Sequence, residues 1–225
     1  MEKRKVEMKY TYKEYKELME LPKKKYKIIY ADPPWSYDRK VGQGVACEQY
    51  DTMDIEDIKN LPIKRLADDD CALFIWVTFP KLNEGLEVIK AWGFTLKTVA
   101  FNWIKTNSDG SPFFGIGFYT KSNGEICILA TKGKTLKVLD NSISQIVMSR
   151  KSKHSSKPHI CYSMIERLFG DLPRIELFAR TKREGWDAWG NEVPKEEQRL
   201  LKKVTLYEQI INKENQSLSE GKDNK

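Results

Sequence analysis

The strongest constraint on the fold is the unbroken apolar run Cys71-Ala72-Leu73-Phe74-Ile75-Trp76-Val77. A strand turns alternate side chains to opposite faces, so a strand with no polar position must be covered on both. That is the situation of a central strand in a largely parallel sheet flanked by helices. The run is far too short to cross a bilayer, which takes ~20 apolar residues, so no membrane partner is expected. The opening Met1-Glu2-Lys3-Arg4-Lys5 lacks the apolar stretch of a secretory leader, and a cytoplasmic location is expected.

The remaining pattern supplies neighbours for that strand. Tyr26-Lys27-Ile28-Ile29-Tyr30-Ala31 reads as a second strand, and Asp54 to Asn60 as a short helix. Lys81 to Trp92 has apolar residues at Leu82, Leu86, Ile89 and Ala91 and is closed by Gly93, which fits a helix with a glycine C-cap. Phe94 to Lys105, Glu125 to Thr131, Ile143 to Met148 and Arg174 to Ala179 read as strands. Pro158 to Phe169 reads as a helix with proline in its first turn and Gly170 after its end. Strands alternating with helices predict an α/β class, with a mostly parallel central sheet and helices on both faces. Ligands of such sheets bind beyond the carboxyl ends of the strands.

At 225 residues there is room for one such domain but little for two. Residues 1–25 are expected to be a basic extension with a short helix, and 26–193 the domain proper. Residues 194–225 are expected to be a charged helix and disordered tail, with Leu200, Val204, Tyr207 and Ile211 at helical spacing. That stripe would pack on its own domain or on a second subunit, which would make a homodimer. Six Trp, ten Tyr and nine Phe exclude a disordered chain. A net charge of +7 favours polyanionic partners. Cys47, Cys71, Cys127 and Cys161 lie far apart without metal spacing, and they read as reduced thiols. His154 and His159 have no ligand spacing either, so no metal is expected.

The most informative stretch is Asp32-Pro33-Pro34-Trp35, at the end of the first strand. Two prolines fix φ twice and remove two N–H donors. The carbonyls of Asp32 and Pro33 are thereby expected to face something other than a helix or ladder. A rigid carbonyl beside a carboxylate makes two acceptors on one small site, which suits an exocyclic amine with its two N–H donors. Trp35 would offer a flat surface for a base to stack on. On the residues alone, a strand-to-loop turn in which Asp32 caps a helix and Trp35 is core remains the alternative.

This tetrapeptide after an apolar strand resembles the catalytic motif of S-adenosylmethionine-dependent amino-methyltransferases acting on adenine N6. More narrowly, the chain resembles the MT-A70 family over roughly Tyr26 to Glu192. Leu73 to Thr78, Trp92-Gly93-Phe94, Ser156-Lys157-Pro158, Ile175 to Arg180 and Gly185 to Glu192 carry the rest of the likeness. The resemblance implies a Rossmann-like fold with the catalytic loop before the cofactor-binding strand. It implies S-adenosylmethionine as cofactor. Asp32, Pro33, Pro34 and Trp35 would be catalytic, with Asp32 and the Pro33 carbonyl accepting the two N6 hydrogens. Asp32, Lys157, Glu176, Phe178, Arg180, Asn191 and Glu192 would meet the cofactor: Lys157 its carboxylate, Glu176 its ribose, Asn191 and Glu192 its adenosine end.

Lys121 and Asn123 in the long loop 106–124, with Arg150, Lys151 and Lys153, are the expected nucleic-acid contacts. Lys23 to Lys25 and Lys132 with Lys134 are further basic candidates. That loop also carries Phe113, Phe114, Phe118 and Tyr119. DNA is the expected substrate, because the chain resembles the bacterial and phage branch. RNA is the nearest alternative, and a catalytically silent nucleic-acid-binding subunit is the reading from another class.

Overall fold

The computed structural model describes residues 21–37, 52–117, 119–151 and 156–190. The expected N-terminal helix, the C-terminal stripe, Cys47, Lys153, His154, Asn191 and Glu192 lie outside the described residues.

Seven strands form one sheet: β1 (Tyr26–Ala31), β2 (Ala67–Val77), β3 (Thr95–Thr106), β4 (Gly124–Lys132), β5 (Ile146–Arg150), β6 (Arg174–Leu177) and β7 (Asp187–Trp189). Their spatial order is β5-β3-β4-β2-β1-β6-β7. Three α-helices accompany them: α1 (Ile55–Asn60), α2 (Leu82–Ala91) and α3 (Ile160–Phe169). The pairs β1–β2, β1–β6, β6–β7 and β3–β5 are parallel, and β4 runs antiparallel to both neighbours. The expected mostly parallel α/β sheet is therefore observed, with one reversed strand in the middle.

The apolar run of β2 does what its composition requires. Leu73, Ile75 and Val77 enter one core with Ile58 of α1 and Val88 and Ile89 of α2. Ala72, Phe74 and Trp76 enter the other with Cys161, Ile165 and Phe169 of α3. β1 divides the same way, with Ile29 and Ala31 on the first face and Ile28 and Tyr30 on the second. The three described cysteines, Cys71, Cys127 and Cys161, are buried and free. They behave as small core residues, with burial pushing the Cys71 and Cys161 thiols up to about 12.

The reversed strand decides where chemistry can gather. The carboxyl ends of β1, β2, β3, β6 and β7 share one rim of the sheet. Because β4 is antiparallel, its amino end, Gly124 and Glu125, joins them, with Trp103 opposite Glu125. The segment 107–123 links β3 to β4 as an irregular hairpin, with bridge pairs Thr106–Pro112 and Gly115–Ser122. The strand β7 was not expected from the sequence. Three residues are too few to show a periodicity.

The basic runs divide between the rims. Lys24 pairs with Asp187 at 3.1 Å, and Lys25 donates to the Ala67 carbonyl at 3.2 Å. Lys132 donates to the carbonyls of Ala67 and Asp68 at 3.2 and 3.0 Å. These lysines sit at the amino ends of β1 and β2, across the sheet from Asp32. They hold strand ends together rather than extending the surface around Asp32.

Candidate active site

Each strand end delivers a polar group to the same rim. β1 ends at Ala31 and is followed by Asp32, whose side chain is 27% exposed. Lys157, leading into α3, places its ammonium 2.6 Å from Asp32 Oδ2 and 3.4 Å from Glu125 Oε2. Glu125 also binds Lys105, near the carboxyl end of β3. Asp32, Lys157, Glu125 and Lys105 thus form a chain of alternating charge across β1, β4 and β3. Beneath it lie aromatic rings: Lys157 Nζ is 5.8 Å from the centre of Trp76, and Lys105 Nζ 5.0 Å from that of Trp103.

The two carboxylates are not equivalent. Burial alone would raise Glu125, but Lys157 and Lys105 together overcome it and hold its carboxyl below the usual range. Asp32 shares a single lysine. There burial outweighs the attraction of Lys157, with Glu125 adding repulsion, and the carboxyl lies above its ordinary value. Burial disfavours the charge on Lys157, yet the two carboxylates more than compensate and its ammonium is held firmly protonated.

The prolines behave somewhat differently from expectation. The Pro33 carbonyl accepts the Trp35 amide at 2.9 Å and the Pro34 carbonyl accepts the Met53 amide at 2.9 Å. The Pro33 oxygen therefore has one lone pair in use already, leaving its second for an incoming donor. Trp35 is 5% exposed, and its indole N–H donates to the Trp76 carbonyl at 3.1 Å. Its ring belongs to the first core. Almost none of the flat surface expected for base stacking is open, and the ring instead fixes the loop onto β2.

On the other side of Asp32, β6 presents Glu176, which accepts a hydrogen bond from Tyr162 of α3 at 2.8 Å. Burial pushes Glu176 up to about 7, opposed by the Tyr162 hydrogen bond and by Arg183. The Arg183 guanidinium lies over the Tyr162 ring, 3.9 Å from its centre. Beyond β6, Phe178 adopts φ 60°, a left-handed conformation costly for an aromatic residue, and its ring meets Trp189 edge-on at 5.5 Å. Gly190 follows β7. A Cβ there would lie 2.0 Å from the Ala179 carbonyl oxygen, so only glycine lets the two backbones approach. Strain at Phe178 and close packing at Gly190 flank the place where Glu176 and Arg180 emerge. Both side chains are half-buried.

Asp32, Lys157, Glu176, Phe178 and Arg180 are thus brought to one rim. Lys121, Arg150 and Lys151 lie exposed around the β3–β4 hairpin and the end of β5, and Asn123 is half-buried at the hairpin base. Sequence reasoning missed Glu125, Lys105, Tyr162 and Arg183. One signal was available: Glu125 is the acidic residue that opens an otherwise apolar strand.

The donor set suits a zwitterionic nucleoside such as S-adenosylmethionine. An ionised carboxyl can accept from hydroxyl donors such as those of a ribose, and an ammonium and guanidinium nearby can meet a carboxylate. Among the described residues no group of three or more His, Cys, Asp or Glu is placed to hold a metal ion. No described helix is long and apolar enough to cross a membrane.

A family model described as MT-A70 matches residues 26–192. Type II methyltransferase M.MunI of Mycoplasma sp is 35% identical over 195 residues, which cover 78% of this chain and 81% of that protein. The human N(6)-adenosine-methyltransferase catalytic subunit METTL3 is 28% identical over 177 residues, 75% of this chain and 28% of that protein. The Arabidopsis thaliana N(6)-adenosine-methyltransferase MT-A70-like is 27% identical over 174 residues, 74% of this chain and 23% of that protein. The chain spans most of the Mycoplasma protein and a minor part of the other two.

Proposed function

The chain belongs to the MT-A70 family, and from that premise we propose that it methylates the N6 amine of adenine in DNA, using S-adenosylmethionine. The observation that carries this reading is Asp32, a partly exposed carboxylate at the end of β1, paired with Lys157 at 2.6 Å. DNA is favoured over RNA because the relative matched over most of its own length is a Type II methyltransferase. The adenosine methyltransferases are matched over only a minor part of theirs.

S-adenosylmethionine supplies, when bound, an electrophilic methyl on a cationic sulfur. The chain's part is to hold and orient. Asp32 and the free lone pair of the Pro33 carbonyl accept the two N6 hydrogens, turning the nitrogen lone pair toward the methyl. The adenine amine is a weak nucleophile because that lone pair is delocalised into the ring. Positioning and charge stabilisation therefore matter more than a strong base. Glu176 receives the ribose hydroxyls, and Lys157 and Arg180 form the cationic side of the cofactor site. Asn191 and Glu192, next in sequence after Gly190, are the candidates for its adenosine end. The target base leaves its stack to reach Asp32.

The test is methyl transfer from labelled cofactor to unmethylated duplex DNA, single-stranded DNA and RNA in parallel, with nucleosides identified after digestion. N6-methyladenine from DNA, lost in Asp32→Ala, is the expected result. Product on RNA alone reverses the substrate assignment. Absence of product with no cofactor binding supports a silent subunit instead.

A further inference from the structure

We infer that the β3–β4 hairpin is a wedge that enters duplex DNA beside the target base, with Ile116 and Tyr119 as the inserting side chains. The inference rests on the DNA reading above and adds the element that opens the stack.

Four observations support it. First, large apolar side chains stand out from this one hairpin: Phe114 is 63% exposed, Ile116 77% and Tyr119 95%. A soluble domain seldom gathers such side chains without a partner for them. Second, the described residues of the hairpin have defined structure despite that exposure. Gly115 and Ser122 exchange amide hydrogen bonds at 2.8 and 3.1 Å, and Phe113 donates to the Lys105 carbonyl at 2.8 Å. A Cβ at Gly117 would fall 1.8 Å from the Thr120 carbonyl oxygen, so only glycine allows the backbone at 117 to approach that close to Thr120. Third, the hairpin's base is part of the active site. Lys105 and Glu125, its first and last anchors, are joined through Lys157 to Asp32. A ligand held by the tip is thereby held in fixed relation to the acceptor carboxylate.

Fourth, the charge around the tip is cationic. Lys121, Arg150 and Lys151 are exposed there, and Lys151 Nζ sits 5.0 Å from the Phe113 ring centre. Segment 107–123 holds one acidic residue, Asp109, which is exposed and bonded to the Ser111 amide and hydroxyl at 3.0 and 2.6 Å, so the positive charge there predominates. Apolar tips flanked by lysine and arginine match a polyanion whose base steps can be parted. A protein partner would be better met by a less uniformly cationic surround. Trp35 bears on the same point. Its ring is 5% exposed, so it is poorly placed to support the base or its vacated neighbours, and the hairpin carries the only comparably large exposed rings among the described residues of this rim besides Phe79.

The experiment uses the full chain. The site that the wild type methylates in unmethylated genomic DNA is first located. It is then built into two duplexes, one fully paired and one with the target adenine mismatched. Ile116→Ser and Tyr119→Ala are compared with wild type on both. Neither side chain is packed in a core, and Phe114→Ser serves as a neighbouring control. The wedge predicts a loss of about tenfold or more on the paired duplex and near wild-type rates on the mismatched one, where little stacking remains to break. Equal losses on both duplexes overturn it, since the tip is then an ordinary contact. No loss on either overturns it as well. A change in molecular mass of the variants assigns the tip to subunit contact and overturns it too. If the wild type modifies only single-stranded nucleic acid, the wedge and the duplex-DNA reading fall together. Methylation of paired DNA by indifferent variants sinks the wedge alone.

Discussion

Replacing Glu176 by Gln should make the protein's stability much less dependent on pH, and the size of the change follows from the site. Glu176 sits on β6 between Tyr162 and the Asp32 cluster, and burial raises its carboxyl from an ordinary 4.5 to about 7. A folded-state pKa above the unfolded one means that the folded chain holds the proton more tightly. The resulting stabilisation is complete below about pH 4.5 and is lost as the pH rises through about 7. At roughly 1.4 kcal/mol per pH unit between the two values, the loss is about 3 kcal/mol. Gln keeps the oxygen that accepts the Tyr162 hydroxyl at 2.8 Å but has nothing to ionise. The variant should therefore be close to wild type near pH 4.5 and more stable than it by up to about 3 kcal/mol at pH 8.

Urea unfolding of both proteins at half-unit steps from pH 4.5 to 8 measures that difference directly. A difference that stays flat across the range would refute the assignment of a buried, reluctant carboxyl. A difference that grows toward acid would reverse its sign. The same titration with S-adenosylmethionine present separates cost from use. Ribose hydroxyls donating to the ionised carboxylate would favour its charge, so saturating cofactor should shrink the advantage of the Gln variant at pH 8.

Three further outcomes are expected. Lys157→Met should destabilise by about 3 kcal/mol, because it leaves Asp32 and Glu125 facing each other without the shared cation; adding Asp32→Asn should recover part of that loss, and an additive double variant would refute the pairing. Tyr162→Phe removes the hydrogen bond that opposes burial at Glu176, so the fall in stability should begin at the same pH as in the wild type but run on to a higher pH and be larger. Gly190→Ala forces a methyl to within 2.0 Å of the Ala179 carbonyl oxygen; calorimetry should find a loss of about 2 kcal/mol, and an unchanged melting temperature would mean that β6 and β7 part easily.

Much of this architecture was legible in the chain because its signals are local. The strand Tyr26–Ala31 was readable from its apolar pattern and its abrupt stop at two prolines. The helix Ile160–Phe169 was readable from the proline before it and from Gly170 beyond it, which adopts φ 77°. The run Cys71 to Val77 announced a strand covered on both faces, and β2 is one, extended by the more polar Ala67 to Asp70 at its start. The start of β2 that sequence missed, Ala67 to Asp70, carries three successive aspartates and looks like loop. Trp35 stays between stacking surface and core residue in the sequence for a related reason. A tryptophan after two prolines looks presented, yet its fate depends on whether a carbonyl 41 residues later accepts its N–H.

What escaped the sequence is what depends on strand direction. Nothing in Gly124 to Lys132 states that this strand runs against its neighbours, since its apolar run would suit either sense. Yet the sense is decisive. Were β4 parallel to β2 and β3, Glu125 would open the strand at the rim that holds Lys24 and Lys25, opposite Asp32. Lys157 would then have one carboxylate partner instead of two, and Lys105 would have none from this strand. Reversal joins residues 32, 105, 125 and 157 into one charge network. It also turns the β3–β4 connection into a hairpin rising from that network rather than a crossover leaving it. A short hairpin is available only between antiparallel neighbours. The buried ion-pair chain and the exposed aromatic tip are therefore two consequences of a single topological choice.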